Sequence, residues 1–273
     1  MSEPLVSICV PVCRSWNAIC LCIESIEKKT PSPAYKILVN DQSKGLGEGN
    51  RLRYLRKLSE DGRIELYEEN YYARADLTGH GKGIKTLLEH VDTKYAFLGE
   101  SDIEIIKDDW LTMLINRIEN DYDTSTVLGV GSFKMGGNHW DIKWIAPRYI
   151  PAWMLLNMSL YRKFEEPDDW DCSRIPYPLW PHKEIFEGLT PPQDPENDPV
   201  MVFRDTGWRL YEKLTYDERF KDLRIISLPS GYVGTRILHY GGIDRNSFRG
   251  GQDPYIQKYR NRINARLALL RKE

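Results

Sequence analysis

Tyr95-Ala-Phe-Leu-Gly-Glu-Ser-Asp-Ile-Glu-Ile105 is the stretch whose reading decides the fold. Tyr95, Ala96, Phe97 and Leu98 make a short continuous apolar run, the pattern of a strand buried on both faces of a parallel sheet. The run stops at Glu100-Ser-Asp102, which sets two carboxylates at spacing i, i+2 on the strand's carboxyl end. In open α/β sheets ligands bind in the crevice beyond that end. Mg2+ and Mn2+ take oxygen ligands, typically one or two carboxylates together with substrate phosphates. The pair therefore reads as an anchor for a nucleotide diphosphate, and a solvated acidic turn is the bland reading of the same residues.

Working upstream, Leu5-Val-Ser-Ile-Cys-Val-Pro-Val12 reads as a first buried strand, with Pro11 near its end where a missing ladder donor is tolerated. Ser15 is the N-cap of a helix over 16–29, which places Ile19, Cys22, Ile23 and Ile26 on one face and closes before Pro31. Tyr35-Lys-Ile-Leu-Val39 is a second strand, so the first forty residues spell a right-handed βαβ crossover. The G-x-G-x-x-G of a dinucleotide site is absent after the first strand, where Pro11-Val-Cys-Arg-Ser-Trp16 stands instead, and this argues against NAD. Asn40-Asp-Gln-Ser43 then puts Asp41 at the sheet's carboxyl edge, where it either accepts from a base imide N–H or serves an Asx turn. A basic helix over 49–60 and a strand over 63–68 follow. Leu77-Thr-Gly-His-Gly-Lys-Gly-Ile84 reads as a glycine-rich turn ahead of a helix that reaches Val91. Its glycines permit close backbone approach and the helix start favours anions, although the spacing matches no phosphate-loop consensus.

Downstream, an amphipathic helix over 107–119 carries Trp110, Leu111, Leu114, Ile115 and Ile118, and a strand covers 126–133. Beyond Gly136-Gly137 the composition changes: Trp140, Trp144, Trp153, Trp170 and Trp180 are interspersed with Pro and Asp. Such rings either pack on sugar faces or fill a core. Residues 176–199, rich in proline and acid, read as a surface loop or lid. A helix is expected to begin at Val202 with Asp205 near its first turn. A late strand over 224–228 precedes Ile237-Leu-His-Tyr-Gly-Gly242, which leads to Arg245 and Arg249. His239 is a core imidazole, a metal ligand or a phosphate contact. A basic helix over 254–272 ends the chain.

The bulk properties narrow the classes. The 273 residues suit one α/β body, and an apolar fraction of 41% with a net charge of −2 gives no basic excess to attract nucleic acid. No apolar run is long enough to span a bilayer, and a strand-like run within five residues of the N-terminus leaves no room for a signal peptide, so a cytoplasmic location is expected. The five cysteines, Cys9, Cys13, Cys20, Cys22 and Cys172, contain no CxxC pair and read as reduced structural thiols rather than a zinc site.

Val6-Ser-Ile-Cys-Val-Pro-Val12, Ile37-Leu-Val-Asn-Asp-Gln-Ser43 and Phe97-Leu-Gly-Glu-Ser-Asp102, with Trp110-Leu111 downstream, together resemble the family 2 glycosyltransferases. The second segment is similar to that family's V-V-D-D-G-S, and the likeness runs over about residues 5–133. The resemblance implies a GT-A fold, a mostly parallel Rossmann-like sheet flanked by helices, in one continuous domain. Residues 1–134 would form its nucleotide-sugar-binding half, and 135–273 a less regular acceptor-binding half with the C-terminal helix. It implies a metal-dependent inverting transfer from a nucleotide-diphosphate sugar to a carbohydrate or other hydroxyl acceptor, with Mn2+ or Mg2+ as cofactor. The family's base-reading Asp falls on Asp41, and its D-x-D on Glu100 and Asp102, with Glu in place of the first Asp. His239 resembles the family's late metal-site His. Asp205-Thr-Gly-Trp-Arg-Leu resembles the acidic motif E-D-x-D-x-x-x-R with its first acids lost, which makes Asp205 the expected general base and Glu196 and Asp198 the reserves. The nucleotide is expected against Pro11, Asp41, Gly79, Lys82, Glu100 and Ser101, the cation on Asp102 and His239, and a phosphate on Arg245. Two other readings share the features: a sugar-phosphate nucleotidyltransferase, which would normally carry a glycine-rich basic loop after the first strand, and a catalytically inactive carbohydrate- or nucleotide-binding module.

Overall fold

The computed structural model describes residues 3–13, 16–42, 49–69, 78–121, 123–134, 137–139, 142–164, 169–170, 173–176, 181, 201–204, 206–240 and 254–272. In chain order the first half gives β1 (Val6–Val12), α1 (Trp16–Lys29), β2 (Tyr35–Asp41), α2 (Asn50–Glu60), β3 (Glu65–Glu68), α3 (Thr78–Glu89), β4 (Tyr95–Leu98), β5 (Ile103–Ile105) and α4 (Trp110–Glu119). Then come β6 (Val127–Lys134), β7 (Gly137–His139), β8 (Ile142–Ile145), β9 (Arg148–Asn157), α5 (Met158–Phe164), β10 (Ser173–Pro176), β11 (Met201–Arg204), α6 (Trp208–Tyr216), β12 (Arg224–Ser227) and β13 (Ile237–His239), with a C-terminal helix over Pro254–Leu270.

The main sheet has the order β12-β6-β9-β4-β1-β2-β3. Only β9 runs against its neighbours, antiparallel to both β4 and β6. The alternation of β1 explains how the sheet is covered. Val6, Ile8, Val10 and Val12 join the core under α1, α2 and α4, while Cys9 on the opposite face joins Ile84, Leu87 and Leu88 of α3. Helices therefore bury both faces, and each fully buried Val, Leu or Ile contributes about 1.5–3 kcal/mol. Trp110 at the start of α4 is fully buried, donates its indole N–H to Thr30 Oγ1 at 2.9 Å and stacks edge-on against Phe97. Cys9, Cys13, Cys20 and Cys22 are free and buried, and burial pushes the Cys9, Cys20 and Cys22 thiols up, away from the reactive thiolate.

Three expectations need correction. The stretch read as a glycine-rich turn is helix: α3 starts at Thr78, so Gly79, Gly81 and Gly83 lie within it. Close packing accounts for Gly83, where a Cβ would collide with Gln42 Nε2 and sit 2.9 Å from Asn40 Oδ1 at the end of β2. The helix expected from Val202 is instead a strand. Residues Met201–Arg204 pair with β10 and β8, as the β-prone Val202 and Phe203 favour. The helix begins only at Trp208, after Gly207 turns the chain at φ +87°. There a side chain would collide with the Tyr149 carbonyl, so glycine is required on two counts. Finally, the 95–105 stretch is two strands in two sheets, because β5 leaves the main sheet and pairs with β13.

Candidate functional site

The carboxyl edge of the sheet builds the site. At the end of β4 the Gly99 amide still donates to the Cys9 carbonyl at 2.9 Å, after which the chain turns through Glu100, Ser101 and Asp102 into β5. Ser101 and Asp102 are buried and Glu100 half-buried. The turn is tied from below: the Cys22 thiol donates to the Glu100 carbonyl, and the Ile105 amide donates to Ser25 Oγ at 3.0 Å. Strand β13 arrives antiparallel to β5 with His239 opposite Ile103, and the Tyr240 amide donates to the Asp102 carbonyl at 3.0 Å. This pairing delivers the imidazole to the acid pair. His239 Nε2 lies 2.7 Å from Glu100 Oε2 and 3.3 Å from Asp102 Oδ1, and one ligand atom from each of the three residues falls within 4.8 Å of the others.

Burial works against the imidazolium, yet the hydrogen bonds to Asp102 and Glu100 outweigh it, and the His239 pKa is pushed up to about 10. A divalent ion bound between the two carboxylates would take the place of that proton. Two carboxylates and an imidazole on one side, with the rest left for phosphate oxygens, suit Mn2+ or Mg2+. The residues present fit the ion.

Glu104 supports this arrangement from the middle of β5. It is 1% exposed, and Arg266 of the C-terminal helix donates to it from Nε at 2.8 Å and Nη2 at 2.6 Å, while the Tyr240 hydroxyl donates to its other oxygen. A buried carboxylate needs such partners. The strand that leads out of the Glu100–Asp102 turn is thus bolted to the last helix.

Asp41 ends β2, with β1 between it and β4, so it lies about 10 Å along the same edge at two strand spacings. It is buried, and Arg51 of α2 approaches its Oδ2 at 3.3 Å. Pro11 is buried in β1 opposite Asn40, one position before the Val12–Asp41 pair. The Gln42 side chain donates to the Gly79 carbonyl, which ties the end of β2 to the start of α3. Lys82 is exposed on that helix. Glu100, Ser101, Asp102 and His239 thus come together, Asp41, Pro11 and Gly79 gather on the β1–β2 side of the same edge, and Asp205, Arg245, Glu196 and Asp198 lie outside the described residues.

Sequence reasoning missed Arg51, Glu104, Arg266 and Trp153. Glu104 left a signal, since a carboxylate flanked by Ile103 and Ile105 in a buried strand demands a partner. Trp153 left none: its indole stands edge-on to the His239 ring, with centroids 4.8 Å apart.

A mostly parallel sheet with a carboxylate at the end of β2 and an acid–acid–histidine cluster beyond β4 is the arrangement of an α/β protein of the GT-A fold. Residues 7–175, more than half of the chain, match the model of Glycosyl transferase family 2, and the chain belongs to that family. No curated protein matches it. Among solved structures it is similar to the mannosyltransferase PcManGT from Pyrobaculum calidifontis, determined with GDP-Man and Mn2+, at 18% identity and a TM-score of 0.45, covering 62% of this chain and 49% of that one. It is also similar to S. aureus TarS 1–349, at 15% identity and a TM-score of 0.40, covering 58% of this chain and 48% of that one. TarS 1–349 in complex with UDP-GlcNAc gives 14% identity and a TM-score of 0.38, covering 58% of this chain and 46% of that one. The chain spans about half the length of these solved structures. Among the described residues no helix is long and apolar enough to cross a membrane.

Proposed function

We propose that this chain transfers a sugar, with inversion, from a nucleotide-diphosphate sugar to an acceptor hydroxyl, assisted by Mn2+ or Mg2+. The observation that carries this reading is the convergence of Glu100, Asp102 and His239 within 4.8 Å at the carboxyl edge, two strand spacings from Asp41. Asp41 receives the N–H of the base, with Arg51 holding one of its oxygens in place. Glu100, Asp102 and His239 hold the cation, which when bound neutralises the departing diphosphate. The Asp205 carboxylate takes the proton of the acceptor hydroxyl as that oxygen bonds to the anomeric carbon and the carbon–oxygen bond to the diphosphate breaks. Inversion follows from attack on the face opposite the leaving group.

The test is a thermal-shift screen of nucleotide sugars with and without Mn2+, paired with an assay for released nucleoside diphosphate. A Mn2+-dependent shift with slow release for one donor is expected. A shift without release would make the chain a binding module, and no shift with any donor would sink the reading.

Asp41 adds a separate expectation. Asp41→Ala leaves a base N–H without its acceptor, at a cost of about 1–3 kcal/mol, so nucleotide binding should weaken and base preference relax. Calorimetry with several nucleoside diphosphates decides it, because equal losses for every base would remove Asp41 from base recognition.

A further inference from the structure

Strand β9 holds a strained residue beside the metal candidates. Its register with β6 passes from Leu155 opposite Val130 to Ile150 opposite Ser132, so Gly131 alone faces residues 151–154. Bulges re-aim side chains, and they concentrate next to active sites. Within this one Trp153 has φ +57°, the one positive value at a non-glycine among the described residues. For a bulky side chain that conformation is an outlier that the surrounding structure must impose. The ring it aims is 8% exposed, donates from Nε1 to Ser132 Oγ at 3.2 Å, and meets the His239 imidazole at an interplanar angle of 72°. The indole thus has two fixed contacts, one to the strand that supports it and one to the imidazole.

We infer that Trp153 is a positioning residue for the metal site: its indole fixes the His239 ring in the orientation that points Nε2 at Glu100 and Asp102. The inference rests on the metal reading of those three residues. An imidazole on a short strand such as β13 turns about its own side-chain bonds, and the hydrogen bonds to the carboxylates are made by the same nitrogen that a cation needs. A packed aromatic wall restricts that turning without competing for Nε2. The bulge explains the cost, since a regular β9 would not bring the indole to this place.

The test is Mn2+ binding to the full chain, read from the free-ion signal in electron paramagnetic resonance, for native protein, Trp153→Gly, Trp153→Phe, His239→Ala and the Trp153→Gly/His239→Ala pair. Glycine adopts φ +57° freely, so the ring is removed without adding backbone strain. Groups that orient metal ligands are worth about 10–100-fold in affinity, so Trp153→Gly should weaken Mn2+ binding by at least about tenfold. Trp153→Phe, which keeps an aromatic face, should restore most of it. In the His239→Ala background the Trp153 substitution should cost nothing further, because its effect passes through the imidazole. Native affinity in Trp153→Gly, or a loss that persists undiminished without His239, would overturn the inference. Native protein that binds no Mn2+ would remove the metal reading and this inference together. If Trp153→Gly does not fold, Ser132→Ala frees the indole N–H and should still lower Mn2+ affinity in a His239-dependent way, and its binding Mn2+ as tightly as native would overturn the inference.

Discussion

Asp102→Asn should abolish the metal-dependent part of donor binding and leave the fold in place. The carboxylate sits in the turn between β4 and β5, where it pairs with His239 at 3.3 Å, so an amide of equal size loses charge without opening a cavity. The backbone contact that matters for folding, the Tyr240 amide on the Asp102 carbonyl, survives the change. What is lost is an anionic ligand for a hard cation. Removing even an outer partner of a metal ligand costs about 10–100-fold in affinity, and removal of a direct ligand should exceed that. Calorimetric titration of the nucleoside diphosphate with and without Mn2+ measures it. The native protein should bind more tightly with Mn2+, and Asp102→Asn should show the weaker, metal-free value under both conditions. Undiminished affinity in Mn2+ would exclude Asp102 from the site.

The half of the site that includes Asp102 was legible because its signals are local. A continuous apolar run followed by acids is visible in eleven residues, and β1, α1, β2 and β4 follow from apolar patterning in the same way. The contribution of His239 is of another kind. Its sequence neighbours mark it as a candidate, but its place beside Glu100 depends on β13 pairing with β5 across more than a hundred residues, and no local pattern encodes that register. Strand β9 was hidden for a related reason. Pro151 and three further residues in a bulge break the alternation that would reveal a strand, although β9 is the piece that joins β4 to β6. The error at β11 passed over the β-prone Val202 and Phe203, which local propensity places in a strand, whereas at α3 tertiary packing overrides local propensity. Glycine in a helix costs about 1 kcal/mol against alanine, so three of them argue for a turn until the approach of Asn40 to Gly83 is known.

Asp205→Asn should lower turnover by about 10²–10⁴-fold, the usual contribution of general-base assistance, while donor affinity stays near native. The separation follows from the division of labour. Asp41 at the end of β2 and the Glu100–Asp102–His239 cluster beyond β4 would serve the donor, whereas a base acts only on the acceptor hydroxyl as its oxygen attacks. In sequence Asp205 follows directly on β11 and precedes the buried Thr206 and the tight turn at Gly207. The competing role is a helix cap, worth about 1 kcal/mol of stability. Steady-state transfer kinetics and a melting curve on the same variant separate the two. A fall in kcat with unchanged melting temperature and donor Kd is the expected result. Near-native kcat with a lowered melting temperature would assign Asp205 to structure and move the base to Glu196 or Asp198, whose Gln and Asn variants would then have to show the same fall in kcat.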